Sequence, residues 1–125
     1  MPNIKLIKII KSPKKGKKYR AIFMKNNREK VTDFGAIGYS DYTKHKDRER
    51  RNRYIFRHLK DTKTFDPSRA GFLSLFILWN KTSFRASVQD YKRRLSAYNK
   101  SGKFNKKITG YVPPNKLRTK SRARR

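Results

Sequence analysis

The chain has 125 residues and carries 36 Lys and Arg against 8 Asp and Glu, a formal net charge of +28. That length suits one domain and excludes two well-filled cores, and the absence of Cys excludes disulfides and thiolate metal sites. A charge excess of this size repels itself and calls for an anionic partner: nucleic acid, an acidic protein surface or an anionic lipid face.

Aromatic residues make up 13% of the chain and hydrophobic residues 34%, so the sequence reads as a small, partly aromatic core rather than a wholly disordered basic tail. Met1 to Ile10 alternates polar and apolar residues, with neither an uninterrupted apolar stretch nor a small-residue cleavage site, and is not read as a signal peptide. Asn3 to Lys11 reads instead as a strand, with Ile4, Leu6 and Lys8 on one face and Lys5, Ile7 and Ile9 on the other. Ser12 to Lys18 (SPKKGKK) is a basic loop broken by Pro and Gly. Tyr19–Lys25 and Lys30–Phe34 are two further strands, joined across Asn26-Asn27, a pair suited to the left-handed conformations of a tight hairpin turn.

Gly35 and Gly38 bracket a sharp exit into helical sequence. Asp47 to about Lys60 is expected to be helical, with Tyr54, Ile55 and Leu59 as a narrow apolar stripe and Arg48, Arg50, Arg51, Arg53 and Arg57 over much of the rest. Asp66-Pro67 has the form of a helix start, Asp capping and Pro in the first turn. The segment it opens, from Phe72 to Trp79, is apolar nearly all round and should be the buried centre. The longest apolar run, Ala70 to Trp79, is about half the length of a membrane span. Ser83 to Tyr98 is a third helix, with Phe84, Val88, Tyr91, Leu95 and Tyr98 on one stripe and Arg85, Gln89, Lys92 and Arg93 opposite.

From Asn99 to Arg125 the chain carries ten Lys and Arg and no acid, and reads as a basic arm that is disordered alone and laid across a partner. The fold class is therefore α+β: a small antiparallel sheet of about three strands packed on about three helices as one domain over residues 1–98, followed by an extended basic arm over residues 99–125.

The chemistry follows from the charge. Arg makes bidentate contacts to phosphate or carboxylate, and few acids are present to pair the arginine-rich helix internally. The polyanion-binding residues are taken to be Lys14, Lys15, Lys17 and Lys18 in the loop, and Arg48, Arg50, Arg51, Arg53 and Arg57 on the first long helix. Arg85, Lys92 and Arg93 on the last helix join them, as do Lys103, Lys106, Lys107, Lys116, Arg118, Lys120, Arg122, Arg124 and Arg125 in the arm. Of the aromatic residues, Tyr19, Tyr39 and Tyr42 are the candidate surface platforms, whereas Tyr54, Trp79 and Tyr91 belong to core stripes.

No enzyme is expected. Asp33, Asp41, Asp47 and Glu49 show no recognised catalytic spacing, and His45 and His58 lack further ligands for zinc. Gly35 and Gly38 are too few for a phosphate-cradling loop. No cofactor is expected.

The stretches KYRAIF, FGAIGYSDYTKHKD, ERRNRYIFRH, ILWNK and RASVQDYKRRL, spanning Lys18 to Leu95, resemble a family of short basic proteins of unknown function encoded by large nucleocytoplasmic DNA viruses, including those infecting algae. The first strand and the basic arm lie outside the likeness. The resemblance implies a viral setting and supplies no catalytic or binding residues. The expected role is a non-enzymatic structural protein of the virus particle, a minor capsid or cement component assembled in the host cytoplasm. Its partners would be acidic surfaces of other capsid proteins, with genomic DNA or an anionic inner membrane face as further contacts in a large assembly. A genome-coating DNA-binding protein and an RNA-binding ribonucleoprotein component are the alternatives.

Overall fold

The structure, a computed structural model, describes residues 2–114. Three strands, β1 (Ile4–Lys11), β2 (Lys17–Lys25) and β3 (Arg28–Ala36), form an antiparallel meander in the order β1-β2-β3. Asn26 and Asn27 make the β2–β3 turn with φ of 50° and 68°, the two left-handed residues that a two-residue hairpin needs to match strand twist. The strands reach further than expected: Lys17 and Lys18 are in β2, where Lys17 pairs with Ala36, so the loop is shorter than SPKKGKK.

A bulge changes the reading of β1. Leu6 pairs with Phe23 and Lys8 with Ile22, leaving Ile7 as the extra residue. The alternation therefore slips by one: Ile4, Leu6 and Ile9 face the core, while Ile7, Lys8 and Ile10 are exposed. Lys8, expected on the face of Ile4 and Leu6, is corrected to the solvent side.

The helices cover one face of the sheet. A short α1 (Tyr42–His45), capped by Asp41, leads into α2 (Arg48–His58), where the Asp47 carboxylate accepts from the Glu49 and Arg50 amides. A 3₁₀ turn (Leu59–Thr64) follows, then α3 (Ala70–Leu73), which widens into a π turn (Ser74–Leu78), and finally α4 (Phe84–Ser101), capped by Ser83. Phe72, Leu73 and Leu75 to Leu78 are all buried, making this apolar stretch the centre of the core. Tyr91 and Leu95 of α4 are buried against it, with Phe84, Val88 and Tyr98 half-buried on the same stripe.

Asp66-Pro67 does not start a helix; α3 begins at Ala70 with no side-chain cap. The Asp66 carboxylate instead accepts from the Ser68 amide and hydroxyl and from Lys25 and Lys30, tying β2 and β3 to this turn. Charged groups reaching inward from the hairpin claimed the side chain before a helix end could.

Residues after α4 pack on the domain as far as Tyr111. Ile108 is buried, Phe104 meets Phe72 and Phe76 edge-on with ring centroids 5.1 Å apart, and Arg94 donates to the Asn105 carbonyl at 2.6 Å. Two apolar residues four apart are enough to anchor a run otherwise read as an arm lying on a partner.

The edge of β1 is closed by α4. Asn99 accepts from the Ile4 amide at 2.9 Å and donates to its carbonyl at 2.8 Å, standing in for a neighbouring strand. Asn99→Ala removes both bonds and is expected to lower unfolding free energy by about 1–2 kcal/mol, read as a reduced urea midpoint with an unchanged slope.

Candidate polyanion-binding face

The fold engages seven of its eight acids, leaving Glu29 exposed in the β2–β3 hairpin without an ion pair among the described residues. Asp33 lies 2.9 Å from Arg20, Asp66 2.9 Å from Lys25 and 3.2 Å from Lys30, and Asp90 2.6 Å from Arg94. Asp41, 1% exposed, holds Lys18 at 2.7 Å. Asp61 meets His58, Asp47 caps α2, and Glu49 sits 4.0 Å from Arg53. These carboxylates face separate cations at separate places, and among the described residues no three His, Cys, Asp or Glu gather as metal ligands. Most of the lysines and arginines are left with no carboxylate within ion-pair distance among the described residues.

One group of cations rims a cleft. The end of the β2–β3 ladder, α2 and the α3–π segment enclose a space of about 550 Å³, with Lys17, Arg50 and Arg57 at its border. Arg50 and Arg57 lie two helical turns apart on α2, about 10.5 Å along the axis. The two carboxylates lining the cleft, Asp41 and Asp61, are already engaged by Lys18 and His58. Its wall includes a column of rings: His58 stacks on Tyr54 at 4.2 Å, and Tyr54 on Trp79 at 4.2 Å with planes 6° apart. His45 follows at 5.2 Å from Trp79. Burial pushes the Tyr54 hydroxyl up to about 12, so it stays protonated at any physiological pH. Burial, followed by the nearby Arg50 charge, pushes the His45 imidazole down, so that ring adds no cation to the cluster near pH 7.

A second group lines a different groove. Lys8, Arg85 and Lys92 line a groove between β1 and α4, and Lys5 and Lys92 line its continuation. Lys5 and Lys8 escaped the sequence reading because they were assigned as members of a strand; their exposure on an edge strand beside α4 was the missing information. Lys44 and Lys46 are also exposed, at the end of α1, where Lys46 adopts the left-handed C-cap conformation.

The predicted residues fall into four groups. Lys14, Lys15, Arg48, Arg50, Arg53, Arg57, Arg85, Lys92, Arg93, Lys103 and Lys107 are exposed. Lys17 is half-buried at the cleft border, whereas Lys18 is spent on Asp41. Arg51 is a correction: it is 2% exposed, donates to the carbonyls of Asn80 and Thr109 at 3.1 Å, and lies over the Tyr42 ring. It is a structural clamp and not part of a binding face. Lys106 is a partial correction, since its ammonium donates to the Thr62 carbonyl at 3.1 Å and lies over Phe65 and Phe72. Lys116, Arg118, Lys120, Arg122, Arg124 and Arg125 lie outside the described residues.

The tyrosine platforms divide similarly. Tyr39 is 74% exposed, as expected, but Tyr42 is 4% exposed. Tyr19 is half-buried, with Phe34 and Phe84 at 5.7 Å and 4.9 Å. Tyr42 faces inward because Asp41, buried with Lys18, turns α1 onto the core.

Fold and surface together define a small α+β protein with cations along several grooves and most of its carboxylates engaged within the chain. A family model described as a family of unknown function (DUF5754) matches residues 7–58, from β1 through α2. No curated protein and no solved structure matches the chain.

Proposed function

We propose that this chain is a non-enzymatic, basic structural protein of a large DNA virus particle, a minor capsid or cement component that adheres to acidic neighbouring proteins. The observation that carries the adhesive part of this reading is that unpaired cations line two distinct grooves of one small domain: Arg50 and Arg57 beside Lys17 in one, and Arg85 and Lys92 beside Lys8 in the other. A protein that follows one duplex needs a single continuous stripe, whereas a cement touches several neighbours at once. The particle setting rests on the resemblance of the Lys18–Leu95 stretch. Contacts of this kind are individually weak and additive, and exposed charges are screened within about 10 Å at 0.1 M salt.

Crosslinking of purified particles followed by mass spectrometry tests it. Links from Lys14, Lys17 and Lys103 to acidic peptides of shell proteins, without nucleotide adducts, are the expected result. Nucleotide adducts at these lysines with no shell peptides would replace it by the genome-coating alternative. That alternative draws on the same cations and predicts non-specific duplex binding that weakens with a log–log salt slope of about 0.9 per neutralised phosphate.

A further inference from the structure

We infer that the cleft between the β2–β3 end, α2 and the π turn is a binding site for a 5′-phosphorylated nucleoside, free or as one unit of a single strand. Three features converge on it. Lys17, Arg50 and Arg57 line it with no carboxylate within ion-pair distance of them among the described residues, and Asp61 is the one lining carboxylate without a Lys or Arg partner there, so the cleft carries a net positive charge. Guanidinium groups bind phosphate oxygens through two parallel N–H donors, and two of the three cations are arginines on one helix face.

The second feature is size. About 550 Å³ exceeds what a single Asp or Glu side chain fills and falls within the range of small-ligand sites. Gly35 and Gly71 let the walls of the cleft pack closely on one another: a Cβ at Gly35 would come within 3.0 Å of the Leu78 side chain, and one at Gly71 within 2.9 Å of the Asp61 Cβ.

The third feature is aromatic. Tyr54 is covered on both faces by Trp79 and His58, so a base cannot insert there. The column ends at His58, whose side chain is 39% exposed, and Tyr39 stands 74% exposed at the same border. A base placed against these rings continues the stack, an interaction that tolerates any base. The phosphate then lies towards Arg50, Arg57 and Lys17. The inference extends beyond the cement reading, since it needs only the isolated protein.

Trp79 is the sole tryptophan of the chain and part of the cleft wall, so its fluorescence reports on the site directly. Intact protein at 150 mM salt is titrated with AMP, with a short oligothymidylate and with polyglutamate. Saturable quenching by AMP is expected, weakened at least about tenfold in the Arg50→Ala/Arg57→Ala variant. It should be unchanged in Arg28→Ala/Lys100→Ala, which removes two exposed cations from the start of β3 and the last turn of α4. Quenching by the oligonucleotide alone, with the same dependence on Arg50 and Arg57, also supports the site and assigns its ligand to a strand. Equal weakening by both double variants, equal quenching by polyglutamate, or no quenching by either nucleotide overturns the inference. Unaltered circular dichroism of both variants separates loss of the site from loss of fold.

Discussion

Arg51→Ala is expected to destabilise the protein by about 3 kcal/mol, whereas Arg50→Ala and Arg57→Ala on the same helix should change stability by less than about 0.5 kcal/mol. Arg51 is buried and its guanidinium donates to Asn80, at the end of the π segment, to Thr109, in the chain beyond α4, and to the Asn52 side chain. Removing it strands two inward carbonyls and opens space beneath the Tyr42 ring. Burial pushes the Arg51 guanidinium downward from its ordinary range, yet arginine starts so high that it remains charged. Its positive charge is met by carbonyl dipoles and a ring face rather than by a carboxylate. Lysine has the charge but not the fork, so Arg51→Lys should recover only part of the loss. Thermal unfolding monitored by circular dichroism checks the series; a melting temperature for Arg51→Ala equal to that of Arg50→Ala would refute the clamp.

Acid is expected to unfold the protein between about pH 5 and pH 2. In Asp66 burial acts upward, but hydrogen bonds from Ser68 and Lys25 and the Lys30 charge outweigh it, holding the carboxyl well below the usual carboxylate range. Asp90 is also lowered: burial opposes, and Arg94 and Asn80 prevail. Hydrogen bonds from Arg20 and Ser12 lower Asp33. Each folded carboxyl therefore binds its proton at lower pH than the unfolded chain does, and acid favours the unfolded state. Their stabilisation is complete above about pH 5, begins to be lost as pH falls through the unfolded value near 3.9, and is gone only below the lowered folded values. Protonation also leaves the 36 Lys and Arg unopposed, so self-repulsion grows as the clips are lost. Asp66→Asn should cost about 2 kcal/mol at pH 7 and flatten the pH dependence. Trp79 fluorescence against pH, at low salt, gives the midpoint; coincident curves for wild type and Asp66→Asn would show that Asp66 does not link the hairpin to the α3 turn.

The parts of the fold that were legible in sequence are those where one local signal dominates. The Asn26-Asn27 turn and the stripe from Phe84 to Tyr98 are such cases, and the α+β class followed from them. Arg51 was misread because a charged residue on a helix was assumed to face water. It lies four residues before the buried Ile55, hence on the same stripe, and that spacing was the available signal. Asp66 was misread because its sequence neighbours suggest a cap, while its actual partners, Lys25 and Lys30, are remote in the chain. The Ile7 bulge leaves no mark in the alternation of β1, whose isoleucines suit either face. The cleft was invisible for a different reason. Its walls come from four separate segments, and no one of them carries a recognisable pattern of its own.

The Asn99 bond to Ile4 joins residues 95 apart in the chain. Strand β1 is synthesised before the last turn of α4 exists, so a nascent chain can form the β1–β2–β3 meander while the outer edge of β1 stays unguarded. The meander is local and fast to form, whereas closing the latch requires a long loop to be ordered first. Chains that stop short of Asn99 therefore present an open strand edge to one another. Misassembly through β1 is the failure mode this topology carries, and completion of α4 is the event that ends it.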